Sequence, residues 1–207
     1  MRIRGCSARI STMPRGAKGR VARNARSSAF IRHHADRYGG DIPIWVLVDV
    51  LDFADVSILF EGMRAADQFQ VAEGLGIRFD LSQLRPSQRK KALKNHPLAR
   101  WLEQLSLMRN ITAHHGRLWN RRLAPAATSA MRTVPGLECL REGQSEDVFG
   151  ALSIVAIILE TTSPGSTWSA KVVREMDSIF SLLQERSSKE MGFPEDWRAR
   201  SVWSAAR

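Results

Sequence analysis

Apolar residues recur three and four positions apart over most of the chain, and no segment shows the strict alternation that half-buried β-strands require. The clearest helical stripe starts at Pro97 and comprises Leu98, Trp101, Leu102, Leu105 and Met108. The pattern predicts an all-α fold, a bundle of about six or seven helices. The longest apolar run, residues 148–159, has 12 residues and is too short to span a bilayer. It predicts a buried core helix, and no membrane partner is expected.

Caps and breakers divide the chain into elements. Ser27 or Ser28 is expected to cap a short helix that reaches about Tyr38. Asp41 is expected to cap the next helix, which would run to about Met63. Its aspartates predict a solvated or structural face: Asp49, Asp52 and Asp55. Further helices are predicted at residues 65–74, 87–95, from 97 into the segment at 109, 145–161 and 166–186, with irregular stretches at 79–86, 124–136 and 191–203.

The net charge of +10 is concentrated at the N-terminal end. Residues 1–37 contain ten Arg or Lys and one Asp, so the remainder is nearly neutral. This distribution predicts a basic, flexible arm over residues 1–26 ahead of a single helical domain over residues 27–207. The arm could contact nucleic acid, but a disordered, solvated tail explains its composition equally well. No apolar h-region precedes residue 27, so no secretory signal is expected.

The chain contains two cysteines, Cys6 and Cys139, far apart and without the spacing of metal ligands. A disulfide framework and a zinc site are therefore both disfavoured, and we expect no metal and no cofactor. Such sparse use of cysteine suits a reducing cytoplasm.

Residues 109–121 read RNITAHHGRLWNR and place three Arg, two His and two Asn in thirteen positions. Within them, Arg109, Asn110 and His114 form the pattern Arg-polar-x3-His. Asn110 and His114 are four residues apart and share a helical face. Arg109 and His114 are five residues apart, about 140° around an ideal helix. Arg109 must therefore reach around, or the helix must be irregular, or the two residues act across an interface between chains.

These residue types supply the parts for cleaving RNA without a metal. Histidine can move protons near neutral pH, arginine can hold a phosphate and stabilise its developing charge, and asparagine can orient either. The 2′-hydroxyl of RNA would attack the adjacent phosphate, and DNA would be spared because it lacks that hydroxyl. We therefore take Arg109, Asn110 and His114 as the candidate catalytic residues.

The spacing alone has an ordinary structural explanation as well. A looser Arg…His pattern also occurs at Arg26…His33 and Arg89…His96. Histidines near a helix end often only cap carbonyl groups, and arginines there complement the helix dipole. Trp119 is expected to be a core residue rather than a platform for stacking RNA bases.

Three ordered blocks carry a resemblance to a known family. Residues 109–121 resemble the form RN-x-x-AHH-x-RLWNR, residues 42–60 read IPIWVLVDVLDFADVSILF, and residues 191–197 read MGFPEDW. From near Ser28 onward the chain resembles the Abi-like (abortive infection) family of bacterial phage-resistance proteins, which is placed in the HEPN superfamily of small helical bundles. Because members usually carry a helical region ahead of the first block, the chain is expected to be short at its N-terminus.

The resemblance implies a homodimer that joins two such motifs into one metal-independent endoribonuclease site. Arg109 would bind phosphate, Asn110 would position it and His114 would be the acid and base. The supporting, RNA-binding residues would be His115, Arg117, Asn120 and Arg121. The implied setting is the bacterial cytoplasm, with host, phage or small regulatory RNA as partner. The alternatives are a non-catalytic RNA-binding or toxin–antitoxin-type partner-binding module, or an inactive truncated member.

Overall fold

The computed structural model describes residues 7–9, 19, 28–39, 41–43, 46, 51–138, 140–183 and 185–204. The chain divides into two compact units, residues 1–63 and residues 64–207. The described part contains seven helices of nine or more residues, which confirms the all-α class and the predicted helix number. None of the helices in these ranges is both long and apolar enough to cross a membrane. The predicted division at residue 26 stays a prediction, and Cys6 and Cys139 lie outside the described residues.

The described residues of the first unit include two helices of nine residues each and a small ribbon. Strands β1 (Ser7–Arg9) and β2 (Asp41–Pro43) pair antiparallel. Helix α1 (Ala29–Arg37) begins after Ser28, whose hydroxyl accepts a hydrogen bond from the Ile31 amide at 3.4 Å. Three-residue strands are too short to show alternation, so the sequence pattern did not indicate them. β1 lies within the segment predicted to be a flexible arm, most of which falls outside the described residues.

The helix predicted from Asp41 to about Met63 differs from the structure at its start. Asp41 was expected to cap this helix but belongs to β2, and within the described residues of the predicted range Val46 is helical and helix α2 spans Phe53–Glu61. Asp52 is the cap: its carboxylate accepts from the Asp55 amide at 2.9 Å, and the Asp55 carboxylate accepts from the Asp52 amide at 3.3 Å. This reciprocal box satisfies two backbone donors at once. Asp55 is buried, so a structural role is confirmed for this aspartate and the prediction that it faces solvent is wrong. Asp49 lies outside the described residues.

The second unit follows the predicted pattern closely. Its helices are α3 (Ala65–Gly74), α4 (Pro86–Lys94), α5 (Leu98–Ala113), α6 (Thr128–Met131), α7 (Val148–Thr162), α8 (Trp168–Leu182) and α9 (Ser201–Ser204). Helix α5 packs on α7, which also contacts α8. Gly150 allows the start of α7 to approach the preceding turn, because a β-carbon there would lie 2.4 Å from the Gln144 carbonyl oxygen. The four-residue helix α6 lies in a stretch predicted to be irregular.

The predicted irregular tail proves to be a core segment. The segment consists of short 3-10 turns, the four-residue helix α9 and irregular stretches between them. Its aromatic residues Phe193, Trp197 and Trp203 are almost fully buried. The Phe193 ring lies 4.9 Å from that of Phe149 on α7, and the Trp197 ring lies 5.6 Å from that of Trp203, centroid to centroid. The tail therefore completes the hydrophobic core instead of trailing from it.

A buried histidine starts the helix that carries the motif. His96 is 2% exposed, and its Nδ1 accepts from the Leu98 amide in the first turn of α5 at 3.2 Å. Its own amide donates to Gln68 Oε1 at 2.7 Å, and the ring of Phe69 packs edge-on against it. Burial lowers the pKa of His96 to about 4, because the imidazolium would lose its hydration.

This histidine predicts a loss of stability in mild acid. The unfolded chain protonates His96 below its ordinary pKa of about 6.5, whereas the folded chain resists protonation down to about pH 4. The unfolded state therefore binds more protons in this window, and His96 removes up to about 3 kcal/mol of stability as the pH falls through it. His96→Asn keeps an acceptor for the Leu98 amide but cannot titrate. In urea denaturation, the advantage of the wild type over His96→Asn should shrink between pH 7 and pH 4.5, and a constant difference would contradict the assignment.

Candidate functional site

The predicted motif lies where α5 ends. Arg109 and Asn110 occupy its last turns, and His114 is the C-terminal cap. His115 adopts the left-handed conformation (φ 55°). Its amide donates to the Thr112 carbonyl at 3.0 Å, and the Gly116 amide donates to the Ile111 carbonyl at 2.7 Å. These two bonds form a Schellman motif, which satisfies carbonyl groups at the helix end.

The three candidate catalytic residues are adjacent but are not all in contact. Arg109 Nη1 donates to the Asn110 side-chain oxygen at 3.2 Å, and the Asn110 backbone carbonyl accepts from the His114 amide at 3.1 Å. Arg109 and His114 are exposed and Asn110 is half-buried. Among the described residues, no hydrogen bond joins the His114 imidazole to either of the other two side chains. One chain thus presents the histidine and the arginine at the same end of α5 without a hydrogen bond between their side chains among the described residues.

The supporting residues lie in the loop after the helix. Gly116 is required there, because a β-carbon would lie 2.8 Å from both the side chain and the carbonyl oxygen of Ile111. Arg121 donates its amide to the Leu118 carbonyl at 3.2 Å, closing a turn in which Asn120 has φ 50°. Asparagine tolerates that conformation better than other non-glycine residues. Asn120 therefore has a structural reason to be present, separate from its predicted role in binding RNA.

Trp119 anchors this loop to the C-terminal part of the unit. Its Nε1–H donates to Glu190 Oε2 at 2.9 Å, and its ring lies 5.4 Å from that of Phe180 on α8. Trp119 was expected to be a core residue; it is half-buried, with its ring packed against Phe180 but not fully enclosed. No local pattern in the sequence indicates Glu190 or Phe180, because their partner lies some sixty to seventy residues away.

Arg122 fixes the loop at a second point. It donates to Asp147 Oδ1 at 2.8 Å and to Glu146 Oε2 at 2.9 Å, just before α7 begins. The acceptors Glu146 and Asp147 raise the pKa of the Arg122 guanidinium further above its ordinary value. Buried Gln104 on α5 also donates to the Ala124 carbonyl at 2.6 Å. Residues 117–124 are thus held between α5, α7 and the tail, a rigid support of the kind that binding loops need.

Three cations of the motif remain available for a ligand. Arg109, Arg117 and Arg121 are exposed, and none forms an ion pair with another described residue. Neighbouring Arg122 is by contrast committed to two carboxylates. Among the described residues, no three His, Cys, Asp or Glu side chains are grouped closely enough to hold a metal ion. The surface at the end of α5 is therefore cationic and rich in hydrogen-bond donors, which suits an anionic ligand.

The left-handed backbone at His115 predicts that glycine at this position would stabilise the fold. A non-glycine residue in the left-handed region costs about 1 kcal/mol, and glycine is the usual residue at this position of a Schellman motif. Since the His115 side chain is exposed, His115→Gly should raise the free energy of unfolding by about 0.5–1 kcal/mol. His115→Ala keeps the strain and should show no gain. Urea denaturation of both variants measures this, and equal stabilities of the two would contradict the strain.

The fold and the motif define a class first: an all-α protein that presents Arg-Asn-x3-His at the exposed C-terminal end of its longest described helix. The chain matches the model of the family described as Abi-like protein over residues 8–120, more than half of its length. It belongs to the Abi-like protein family, which assigns it at the family level to phage defence by abortive infection. No curated protein and no solved structure matches the chain.

The extent of the match corrects one expectation and leaves another open. The match begins at residue 8 and not near Ser28, so it includes much of the basic segment. It ends at Asn120, and therefore contains Arg109, Asn110, His114, His115 and Arg117 but not Arg121. The resemblance of MGFPEDW at residues 191–197 lies outside the match and stays a prediction, although this block packs in the same unit as the motif.

Proposed function

We propose that this protein is a metal-independent endoribonuclease of abortive phage defence, built as a cytoplasmic homodimer of the HEPN type. The observation that carries the proposal is the Arg109–Asn110–His114 set at the end of α5, with Arg109 and His114 exposed, in a chain of the Abi-like family. Arg109 contacts Asn110 but leaves donors free for a phosphate. His114 has an unhindered imidazole that can exchange protons with solvent and substrate.

A dimer would complete the site, because one chain alone does not bring the side chains of Arg109 and His114 together. In a symmetric dimer, an isologous interface brings the same patch of both chains together. If that patch is the end of α5, Arg109 of one protomer meets His114 of its partner. The 140° separation within one helix then ceases to be an obstacle. The two exposed side chains would also become enclosed, which strengthens their electrostatic effect on a phosphate.

The proposed reaction is an intramolecular transfer at phosphorus. His114 removes the proton of the 2′-hydroxyl, whose oxygen attacks the adjacent phosphate, and the 5′-oxygen of the next nucleotide leaves with a proton from the second His114. Arg109 stabilises the charge on the non-bridging oxygens. Arg117 and Arg121 contact neighbouring phosphates, while His115 and Asn120 support the loop. The products are a 2′,3′-cyclic phosphate and a free 5′-hydroxyl.

The test is cleavage of single-stranded RNA by the purified full chain with EDTA present. Cleavage should occur, should leave cyclic phosphate ends and should spare DNA of the same sequence. His114→Ala, whose side chain is exposed and whose loss should not disturb folding, is the matched variant. Equal cleavage by the wild type and His114→Ala would show that the activity does not come from this site.

A second candidate is a non-catalytic RNA-binding module that uses the same surface. The guanidinium groups of Arg109, Arg117 and Arg121 favour it: they are exposed, form no ion pair with another described residue, and suffice to bind phosphates without any chemistry. It predicts RNA binding that Arg109→Ala weakens, with no cleavage products from the wild type. The same assay therefore separates the two functions.

A further inference from the structure

Aromatic and basic side chains lie along one face of α1, in the first unit. Phe30, His33, His34, Arg37 and Tyr38 follow each other at spacings of three and four residues, which places them side by side on a helix. All five are exposed or half-exposed, whereas Ile31 on the same helix is completely buried. We call these five residues the aromatic–basic face of α1.

The exposure of its two largest apolar rings is unusual in this protein. Phe30 is 68% exposed and Tyr38 is 57% exposed. Every other Phe or Trp side chain whose burial the structure describes is buried or half-buried. Single exposed apolar residues are ordinary, but two aromatic rings on one short helix form a patch of the kind that marks a binding surface.

Three of the rings of this face pack against one another. The His33 and His34 rings lie 5.6 Å apart, and the Tyr38 ring lies 5.6 Å from the first and 5.3 Å from the second. His34 Nδ1–H donates to the Phe30 carbonyl at 2.9 Å, which holds the imidazole against the helix. A base that stacks on Tyr38 would therefore meet a ring already packed against two imidazoles, and preorganisation of this kind favours affinity.

We propose that the aromatic–basic face of α1 is a second RNA-binding surface, separate from the motif at the end of α5. Bases of a single-stranded segment stack on Phe30 and Tyr38, while Arg37 contacts a phosphate. Charge complementarity favours this ligand, because residues 1–37 hold ten Arg or Lys and one Asp. The choice of RNA rests on the proposed function, but the binding does not require that the protein cleave RNA.

An anionic membrane is the competing partner for a basic helix. Helices that lie in a membrane interface have a broad, continuous apolar side. On α1 the exposed face interleaves Phe30 with two imidazoles, a guanidinium and a phenol, and the aliphatic Ile31 is buried inside the fold. Planar rings next to cations fit nucleotides better than acyl chains, so we commit to RNA.

The experiment measures binding of a short, unstructured, fluorescein-labelled RNA by the full chain carrying His114→Ala, so that cleavage does not interfere. Adding Phe30→Ala and Tyr38→Ala together should weaken binding by about tenfold or more, with an unchanged dependence of affinity on salt, since no charge is removed. Phe30→Trp and Tyr38→Phe keep the rings and should bind like the parent. Arg37→Gln should instead reduce the slope of log affinity against log salt by about 0.7.

Controls make the result specific to this face. Leu182→Ala removes an apolar side chain that is 78% exposed on α8 and should leave RNA binding unchanged. Circular dichroism of the Phe30/Tyr38 double variant should equal that of the parent. Vesicles of phosphatidylcholine and phosphatidylserine should show no binding that depends on Phe30 and Tyr38.

The proposal is overturned if the double variant binds RNA as tightly as the parent, or if Phe30 and Tyr38 are needed for vesicle binding and not for RNA binding. Its failure is distinguishable from that of the nuclease. Wild-type cleavage of RNA with unchanged binding by the double variant removes the α1 surface alone. If the wild type does not cleave RNA but the double variant loses RNA binding, the nuclease proposal fails and the α1 surface stands.

Discussion

Replacing His114 by alanine is expected to lower the rate of RNA cleavage by about 10²–10⁴-fold, the usual contribution of a general acid or base. The imidazole is exposed at the cap of α5, and only its backbone amide takes part in ending the helix. The variant should therefore keep the stability of the wild type while losing activity. Initial rates of cleavage with EDTA present, together with urea denaturation, measure the two effects separately.

Mixing wild-type chains with inactive His114→Ala chains tests whether the site is shared between protomers. A heterodimer then holds one His114, whereas the proposed reaction uses His114 of both protomers, so the heterodimer should be as inactive as the variant. In an equal mixture that assorts at random, about a quarter of the dimers are wild type, and the rate of cleavage should fall to about a quarter of that of the same amount of wild-type dimer. A site contained within one chain would leave about half of the rate, so a rate in proportion to the wild-type chains would contradict the shared site.

Replacing Trp197 by alanine is expected to remove about 3–5 kcal/mol of stability, the largest single effect on the fold that we anticipate. Trp197 is 1% exposed and packs against Phe193 and Trp203 in the tail of the second unit. Stabilities of folded proteins are about 5–15 kcal/mol, so this variant should unfold at a much lower urea concentration or fail to fold. The midpoint of urea denaturation is the measurement.

Trp197→Phe is the matched control for this loss. The Trp197 indole nitrogen is buried and has no hydrogen-bond partner among the described residues, so phenylalanine gives up no hydrogen bond to them and retains an aromatic ring. It should cost well under half of what alanine costs, because the residual cavity is smaller. If Trp197→Ala were within about 1 kcal/mol of the wild type, the tail would not belong to the cooperative core.

The predictions for His114 and Trp197 are connected, because the C-terminal segments of the second unit pack against the loop that follows the motif. Glu190 accepts from the Trp119 indole, and Arg122 pairs with Asp147 and Glu146. The loop that carries Arg117 and Arg121 is therefore supported by residues beyond the part of the chain that matches the family. We expect the tail to contribute both to stability and to the geometry of the cationic surface.

Local patterns in the sequence determined the helical class, and they located α3, α4 and α5 to within a residue or two. Helix formation depends on neighbours three and four positions away and on caps at the ends, so a single sequence contains most of what is needed. The same reasoning placed Arg109, Asn110 and His114 at the end of one helix, where the structure has them.

The tertiary structure alone decided the contacts between distant residues. The pairing of β1 with β2 placed Asp41 in a strand, and the capping box of Asp52 and Asp55 starts α2. The bond from Trp119 to Glu190 joined two segments far apart in the chain, and the burial of Trp197 placed the tail, which was predicted only to be irregular, in the core. Such contacts are set by packing among segments far apart in the chain, which periodicity and capping do not encode.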